Sequence, residues 1–481
     1  MKMSRIARSL LLTCVLPLGA CTSLRTPYQT PAVVSPSAWD NTPPAPSQTA
    51  QDQWWRRFGD EKLDRLVDRV LARDNNLAAA AVTLRRAQIQ ARFAVVNPQI
   101  SGGVGYNDTV PLNKTISTVT VGGYTFQTGG SSGQQSFSPS LSASYEVDLF
   151  NALGATKDAA KWEARATQED LDSVRLALIG TTVDDYFQLA YLNGEITRTE
   201  AAIQYAQTVL ELVRVQVRAG SDSSLDESLA AQNLAGAQAN LHGLVEQRVE
   251  TRNALNLLLN GETASPGDEL ADLPDAEPPA VDPGLPTSLL GRRPDLKAAE
   301  MRLREQLASL DETRLSLYPT LNLTGDLGTS SPRLANLFTN PVGSLATELT
   351  LPFLNYDQVR LNVGVSRASY DLAVVNFRQT LYSALTDVNN ALSQRQQYAL
   401  QAADLGRALD ETRSMERLDD VRYRAGTIAL TTLLSDQQAQ RQAEGALAQV
   451  RLSQLQTYVA LCKALGGDTT VSSTVPAVRK E

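Results

Sequence analysis

Two long stretches without proline constrain the fold of this chain more than any other feature. Residues 155–218 and 354–424 contain no proline and are rich in Ala, Leu, Gln and Arg. In the second stretch Val374, Leu381 and Val388 are seven residues apart, which is the spacing of a coiled-coil seam. A helix of about 60 residues is about 90 Å long. Because a compact soluble domain needs no such helix, the sequence predicts elongated helical hairpins that span a distance.

The chain repeats itself on either side of a proline-rich segment at residues 261–287. The matched pairs are Leu84-Arg85 with Leu303-Arg304 and Arg218-Ala219-Gly220 with Arg424-Ala425-Gly426. Several matches in the same order indicate an internal duplication. Each half is therefore predicted to contain a helix, a β-hairpin, a very long helix, a tight turn and another helix.

Four segments between the helices alternate polar and apolar residues with the period of a β-strand. They are residues 99–106, 139–149, 320–327 and 345–351, within predicted hairpins at about 98–149 and 319–353. Each is about as long as a tilted transmembrane strand and has the alternation of an outer-membrane barrel. Four strands cannot close a barrel with a useful lumen, and an open sheet in lipid leaves its edges unsatisfied. The pattern therefore predicts that several copies of the chain share one barrel.

The polar side of these strands includes four carboxylates. They are Glu146, Asp148, Asp326 and Glu348, and we expect them to face a water-filled lumen. The segments between the paired strands, residues 107–138 and 328–343, are rich in Gly, Ser, Thr and Asn and are predicted to be loops outside the cell. A pair of amphipathic hairpins on a soluble sheet is the alternative interpretation.

The N-terminus has the pattern of an export signal. Lys2, Arg5 and Arg8 precede an apolar run that is too short to span a bilayer, and Leu18-Gly19-Ala20-Cys21 follows. This ending resembles a bacterial lipoprotein signal, in which Cys21 becomes the acylated first residue. Thr22 stands where an Asp would suggest retention in the inner membrane, so an outer-membrane address is favoured. An ordinary signal with an incidental cysteine is the alternative.

Together these features predict six segments along the chain. They are a lipoprotein signal peptide at 1–20, a lipid anchor and extended linker at 21–50, a first repeat at 51–260, the proline-rich linker at 261–287, a second repeat at 288–467 and a flexible tail at 468–481.

Composition and charge argue against several classes of function. The chain has 52 Asp and Glu residues against 44 Lys and Arg residues, which disfavours nucleic acid as a partner. With one histidine, His242, and with Cys462 left without an intrachain partner, we expect no disulfide, metal site or cofactor. Residues 129–133 match a nucleophile-elbow pattern, but they lie in a Gly/Ser-rich loop without a histidine nearby. We therefore expect no enzymatic activity.

Three stretches resemble signature sequences of the TolC-like outer-membrane efflux factors, and within them the lipidated, NodT-type branch. They are WWRRFGD at 54–60, LPTSLLGRRPDL at 285–296 and VALCKALGG at 459–467. The resemblance implies a fold that is mainly α with a small β part. In this fold a homotrimer forms a twelve-strand barrel from four transmembrane strands per chain, and long α-helical hairpins continue it as an α-barrel through the periplasm.

The resemblance also implies partners and a gate. Such factors are passive ducts in the outer membrane that dock onto a periplasmic adaptor protein and an inner-membrane pump. Adaptor docking and the pore constriction are expected at the helix tips, formed by Arg218, Ala219, Gly220, Arg424, Ala425 and Gly426. Candidate gate residues are Asp222, Asp226, Glu227 and Asp436. An equally good explanation for these acids is that they stabilise the start of a helix, where negative charge is favourable.

The sequence departs from the family pattern at the second tip. Ile428 and Ser435 occupy positions that are acidic in some relatives, so the closing ring is expected to depend more on the first repeat or on apolar contacts. A periplasmic coiled-coil lipoprotein that acts as scaffold or adaptor is the alternative function. It would share the anchor and the long helices, but it would not need two lipid-compatible hairpins.

Overall fold

The computed structural model describes residues 24–33, 36–39, 53–94, 96–110, 117–128, 134–263, 266–284 and 286–467. The predicted signal peptide, Cys21, the 129–133 motif and the C-terminal tail lie outside these residues. Among the residues described, none of the helices combines the length and the apolar composition needed to cross a membrane.

The first half of the chain contains helices and strands in the predicted order. They are α1 (Glu61–Arg73), α2 (Asn75–Phe93), β1 (Gln99–Thr109), β2 (Ser117–Val121), β3 (Tyr124–Thr128), β4 (Gln134–Val147), α3 (Ala152–Arg218) and α4 (Ser224–Leu258). At 67 residues, α3 is about 100 Å long.

The second half repeats the same order. Its elements are α5 (Pro294–Leu315), β5 (Thr320–Gly328), β6 (Val342–Thr350), α6 (Tyr356–Arg424) and α7 (Leu430–Ala464). Helix α6 has 69 residues, and α4 and α7 have 35 residues each. The predicted fold class, mainly helical with four long strands, is confirmed.

The chain forms two compact units. The strand unit consists of Met1–Thr30, Ala87–Ala164 and Arg302–Ala373, and the helical unit of Pro31–Arg86, Arg165–Met301 and Val374–Glu481. Each unit therefore draws residues from both sequence repeats.

The strand unit contains one antiparallel sheet with the strand order β1-β4-β5-β6. The central pairing, between β4 and β5, joins the two repeats, with Leu141 opposite Leu327 and Glu146 opposite Asn322. Strands β1 and β6 lie at the edges, and each pairs on one side only within the described residues. The sheet is thus open.

The structure contains a second, smaller hairpin that the sequence analysis does not predict. The segment 107–138 was expected to be loop, but β2 and β3 pair within it, and β1 and β4 extend into it at either end. Gly122 and Gly123 both have positive φ, as the two-residue turn of a tight hairpin requires. The sequence signal for this hairpin was the pair of glycines between two short runs of β-branched and aromatic residues, STVTV and YTFQT.

The core of the helical unit is built on aromatic side chains. Trp54 and Trp55 are buried, and the Trp54 ring lies 6.1 Å from that of Tyr458. Asp60 caps α1 as its sequence pattern predicts, because its carboxylate accepts a hydrogen bond from the Lys62 N–H at 2.8 Å. Its other oxygen accepts a hydrogen bond from the Tyr186 hydroxyl at 2.5 Å. This bond ties the short helix to α3.

Cys462 belongs to this core. Its side chain is 1% exposed, and burial raises the pKa of its thiol to about 12. The thiol therefore acts as a small apolar group, as the sequence suggests.

We expect Cys462 to resist alkylation in the folded protein, because the thiolate is the reactive form and is almost absent near pH 8. Alkylation by iodoacetamide, followed by mass spectrometry of the peptide that contains Cys462, measures this. An Ala425→Cys variant is the matched control, because position 425 is exposed at a helix tip and should react at once. Equal labelling at the two positions without denaturant would contradict the buried placement.

Candidate functional site

The polar face of the sheet brings three of the predicted acids together. Glu146, Asn322 and Glu348 lie in one row across β4, β5 and β6. Asp326 lies four residues further along β5 and pairs with Ser344, whose hydroxyl is 3.5 Å from the Asp326 carboxylate. Since side chains alternate between the faces of a strand, these carboxylates share one face. The sheet can therefore present a hydrated, negatively charged surface.

The opposite face is apolar and exposed. Its side chains include Ile100, Val104, Leu141, Leu327 and Leu345, of which Val104 is 82% exposed and Leu345 83% exposed. An apolar surface of this extent on a soluble sheet would favour aggregation. The predominance of polar side chains on one face and of apolar side chains on the other instead fits a sheet with lipid on one side and water on the other.

Asp148 does not belong to the polar row. The strand β4 ends at Val147, two residues before the predicted end at Leu149. The Asp148 carboxylate accepts hydrogen bonds from the Leu153 N–H at 3.3 Å and the Gly154 N–H at 2.9 Å, at the start of α3. An acid there satisfies N–H groups that the helix leaves unpaired. The prediction that Asp148 lies on the strand is wrong.

The two helix tips have the same backbone turn. Gly220 and Gly426 have φ values of 77° and 75°, which only glycine adopts readily. After each glycine a backbone N–H returns to a helix carbonyl, from Ser221 to Gln216 and from Thr427 to Arg422, both at 2.9 Å. This is the Schellman ending of a helix.

The hydroxyl that follows each glycine reinforces the turn. The Ser221 hydroxyl donates to the Gln216 carbonyl at 3.0 Å, and the Thr427 hydroxyl donates to the Arg422 carbonyl at 2.9 Å. The repeated Arg-Ala-Gly followed by Ser or Thr is thus a structural motif. The Arg, Ala and Gly residues of both motifs, at 218–220 and 424–426, are exposed.

Beyond the turns the two tips differ. Ser223 caps α4 in a reciprocal capping box with Asp226, whereas Ala429 precedes α7 without a side-chain cap. Glu227 forms an ion pair with Arg214 at 3.1 Å. Asp226 and Glu227 therefore have local structural partners, which fits the alternative interpretation that they favour the helix start.

A hydrogen-bond link connects the second tip to the first. The Tyr423 hydroxyl donates to the Gln216 side-chain carbonyl at 3.1 Å and lies 3.5 Å from the Asp222 carboxylate. Burial, together with the nearby Asp222 and Asp226 carboxylates, raises the pKa of Tyr423 to about 12. Sequence analysis did not single out Tyr423, because its partners lie about 200 residues away along the chain.

Asp436 lies away from the turn and faces its own chain. The nearby Asp419 carboxyl on α6 raises the pKa of Asp436. Ile428 is packed against the apolar cluster that contains Tyr423, Leu430 and Leu433. Of the four candidate gate residues, Asp222 alone bonds to the other tip in the described part of the chain.

The described residues include no group of three His, Cys, Asp or Glu side chains placed to hold a metal ion. His242 is exposed on α4.

Comparison with known proteins agrees with this geometry. The family model described as outer membrane efflux protein matches residues 66–261 and 285–467. The pyoverdine export outer membrane protein OpmQ of Pseudomonas putida is 31% identical over 464 residues, which are 94% of this chain and 97% of that protein. The solvent efflux pump outer membrane protein SrpC of Pseudomonas putida is 29% identical over 482 residues, with 97% and 99% covered.

The fold is also that of a solved channel. The structure of the outer-membrane channel OprN superposes with a TM-score of 0.81 at 24% sequence identity, covering 93% of this chain and 99% of OprN. The open sheet with one polar and one apolar face, the two very long helices and the repeated tips are thus the parts of a known architecture. The chain belongs to the outer membrane efflux protein family.

Proposed function

We propose that three copies of this chain form a passive exit duct, a closed barrel in the outer membrane continued by a helical tunnel in the periplasm. A periplasmic adaptor protein and an inner-membrane pump deliver small molecules to it and supply the energy. The single observation that carries this proposal is the open four-stranded sheet with one mainly polar and one mainly apolar face. A periplasmic scaffold would have no use for an exposed apolar sheet face.

The internal repeat supports a ring of identical copies. Inside one chain the repeats meet where β4 pairs with β5 and where α3 packs on α5. In that helix contact Arg302 lies 4.0 Å from Glu163, and the Arg304 guanidinium lies 5.0 Å from the Trp162 ring centre. The repeat implies an equivalent contact between β6 and α6 of one copy and β1 and α2 of the next. Such a head-to-tail contact generates a closed ring when the rotation between neighbours closes.

The helix faces that this contact requires are apolar and exposed. Leu361, Val365 and Leu372 form an exposed stripe along α6 at coiled-coil spacing. Ile89 and Phe93 are exposed on α2. In a ring, each neighbouring copy would cover one of these two stripes and would pair with one edge of the sheet. The exposed stripes and edges therefore support a trimer with twelve strands.

The N-terminal segment supports a lipid anchor at Cys21. Arg25 forms an ion pair with Asp158, and it donates hydrogen bonds to the Asn151 carbonyl at 3.2 Å and to its side-chain oxygen at 3.0 Å. Asn151 lies between β4 and α3, where strands give way to helices. Four residues span at most about 14 Å, so an acyl chain on Cys21 would start close to this boundary.

The helix tips supply a docking surface and a gate. The exposed turns at 218–220 and 424–426 are the proposed contacts of the adaptor. The Tyr423 link to Asp222 and Gln216 is the proposed latch between the hairpins of one chain. OpmQ and SrpC bear names that refer to unlike molecules, pyoverdine and solvents, so we assign the choice of cargo to the pump.

We expect Leu345→Arg to reduce the yield of outer-membrane trimer by about tenfold or more, because an arginine that faces lipid near the bilayer midplane costs about 2–4 kcal/mol. Ser344→Arg is the matched control, since its side chain lies on the polar face and should be tolerated. Cross-linking and native mass spectrometry of detergent-extracted membranes measure both. Equal yields of the two variants, or only monomer from the unmodified protein, would refute the barrel.

We expect Tyr423→Phe to raise the leak conductance of the channel in planar bilayers by about two- to tenfold, because each copy loses a hydrogen bond of about 0.5–1.5 kcal/mol between the tips. Asp222→Ala should act in the same direction. Tyr398→Phe on the same helix is the control for loss of a tyrosine hydroxyl. Unchanged conductance in the Tyr423 and Asp222 variants would remove this pair from the gate.

A further inference from the structure

A cavity of about 650 Å³ lies where the two helical hairpins meet. Its walls come from α3 and α4 of the first hairpin and from α7 of the second. The volume is within the range of about 300–1,000 Å³ that is typical of small-molecule sites. A single acidic side chain of a protein partner would leave most of this space empty, so the cavity fits a small organic molecule better.

The acids that line the cavity are already paired. Glu195 forms an ion pair with Arg198 at 2.9 Å, and Arg198 also pairs with Asp272 at 2.7 Å. Glu444 forms an ion pair with Arg413 of α6 at 3.0 Å. Each lining acid therefore has a cation of its own.

The other lining cation, Arg441 of α7, forms no ion pair with any residue that the structure describes. Its Nη2 atom donates to the Gln438 side-chain oxygen at 2.7 Å and to the Asn233 side-chain oxygen at 3.3 Å. Its Nε and Nη1 atoms have no acceptor in the same part of the chain. Burial lowers the pKa of this guanidinium, as expected for a half-buried cation without an acid beside it. A bound anion would supply the missing charge and accept hydrogen bonds from the unused N–H groups.

Beside this guanidinium the cavity presents amide groups and apolar side chains. Gln232, Asn240 and Gln442 line it and form no hydrogen bond within the described residues. Leu229 and Leu434, near the starts of α4 and α7, line it as well. Amides both donate and accept hydrogen bonds, and leucines cover apolar surface. The lining therefore fits an anion that carries an apolar body rather than a bare inorganic anion.

Two glycines inside helices keep the walls of the cavity open. Gly236 of α4 and Gly445 of α7 both line it. A Cβ atom at Gly236 would meet nothing within 4 Å, and one at Gly445 would meet only the Glu195 carboxylate, at 3.9 Å. Glycine inside a helix is destabilising relative to alanine, and no contact between described residues requires either glycine. The bare backbone leaves room for an occupant.

We propose that this cavity binds a small organic anion with an apolar body, whose charged group lies on the Arg441 guanidinium. The ligand contacts α4 and α7 together, and it thereby links the first hairpin to the second. This site is a property of the helical hairpins and does not depend on the proposed duct.

Binding of 2-naphthoate to the full-length protein in lipid nanodiscs tests the proposal, and 2-naphthamide is the neutral probe of the same shape. A saturation-transfer NMR titration, corrected with empty nanodiscs, should give a Kd of about 0.1–1 mM for 2-naphthoate. The amide should bind about tenfold more weakly or worse, because it lacks the charge that the guanidinium recognises. Equal binding of the two probes, or no binding of 2-naphthoate, would overturn the proposal.

Three variants show whether the binding takes place in this cavity. Arg441→Gln removes the charge, and Gly236→Leu fills the space with a residue that favours the helix. Both should weaken binding of 2-naphthoate by about tenfold or more. Arg407→Gln is the matched control, because Arg407 is exposed on α6 and does not line the cavity. An unchanged affinity in either cavity variant, or an equal loss in the control, contradicts the assignment.

Hydrogen exchange with and without the probe tests the link between the hairpins. At ten times the Kd, 2-naphthoate should raise the protection of residues 229–240 and 434–445 by about three- to tenfold. The Arg441→Gln variant should show no such rise at the same concentration. Unchanged protection in these two segments, or an equal rise in the variant, would place the probe elsewhere and refute the site. Because this readout does not require conduction, loss of the site leaves the proposed duct intact, and the reverse holds as well.

Discussion

Hydrocarbon offers no hydrogen bonds to a peptide group, and this constraint governs the rest of the molecule. Strands β1 and β6 each leave one row of N–H and C=O groups unpaired in the described residues of a single chain. Those rows can only be satisfied by another strand. The exposed stripes on α2 and α6 show the same incompleteness in the helices. The proposed ring of copies would resolve both at once, since the contact between neighbours would repeat the contact already made inside each chain.

The sequence predicts the structure correctly where a single physical requirement acts along one continuous segment. Residues 320–327 alternate because one face of β5 must be apolar and the other polar, and the structure places β5 at Thr320–Gly328. The long helices were equally predictable, since apolar residues recur at helical spacing over some 60 residues and no proline interrupts them. The two Arg-Ala-Gly motifs identified the turns because a positive φ demands glycine.

The sequence does not predict the placement of a side chain whose partner lies far away along the chain. Asp148 continues the polar and apolar alternation of β4. In the structure its carboxylate instead accepts hydrogen bonds from N–H groups at the start of α3, and the strand pattern does not indicate this. Tyr423 meets Gln216 and Asp222 only after both hairpins have formed. Asp436 was grouped with the other tip acids by its position in the chain, but its carboxyl faces Asp419. The proposed gate, unlike the strands and long helices, therefore depends on contacts between distant elements.

The burial of Cys462 has a consequence for biogenesis. An exported chain folds in a compartment that oxidises thiols. An unpaired cysteine can there form a mixed disulfide with an oxidoreductase or with another exported protein. The aromatic core removes that risk by enclosing the sulfur at 1% exposure. The enclosure requires α7, near the C-terminus, to dock against Trp54 near the start of the described chain. The thiol is therefore accessible to oxidants until α7 has packed against Trp54, and it is protected from then on.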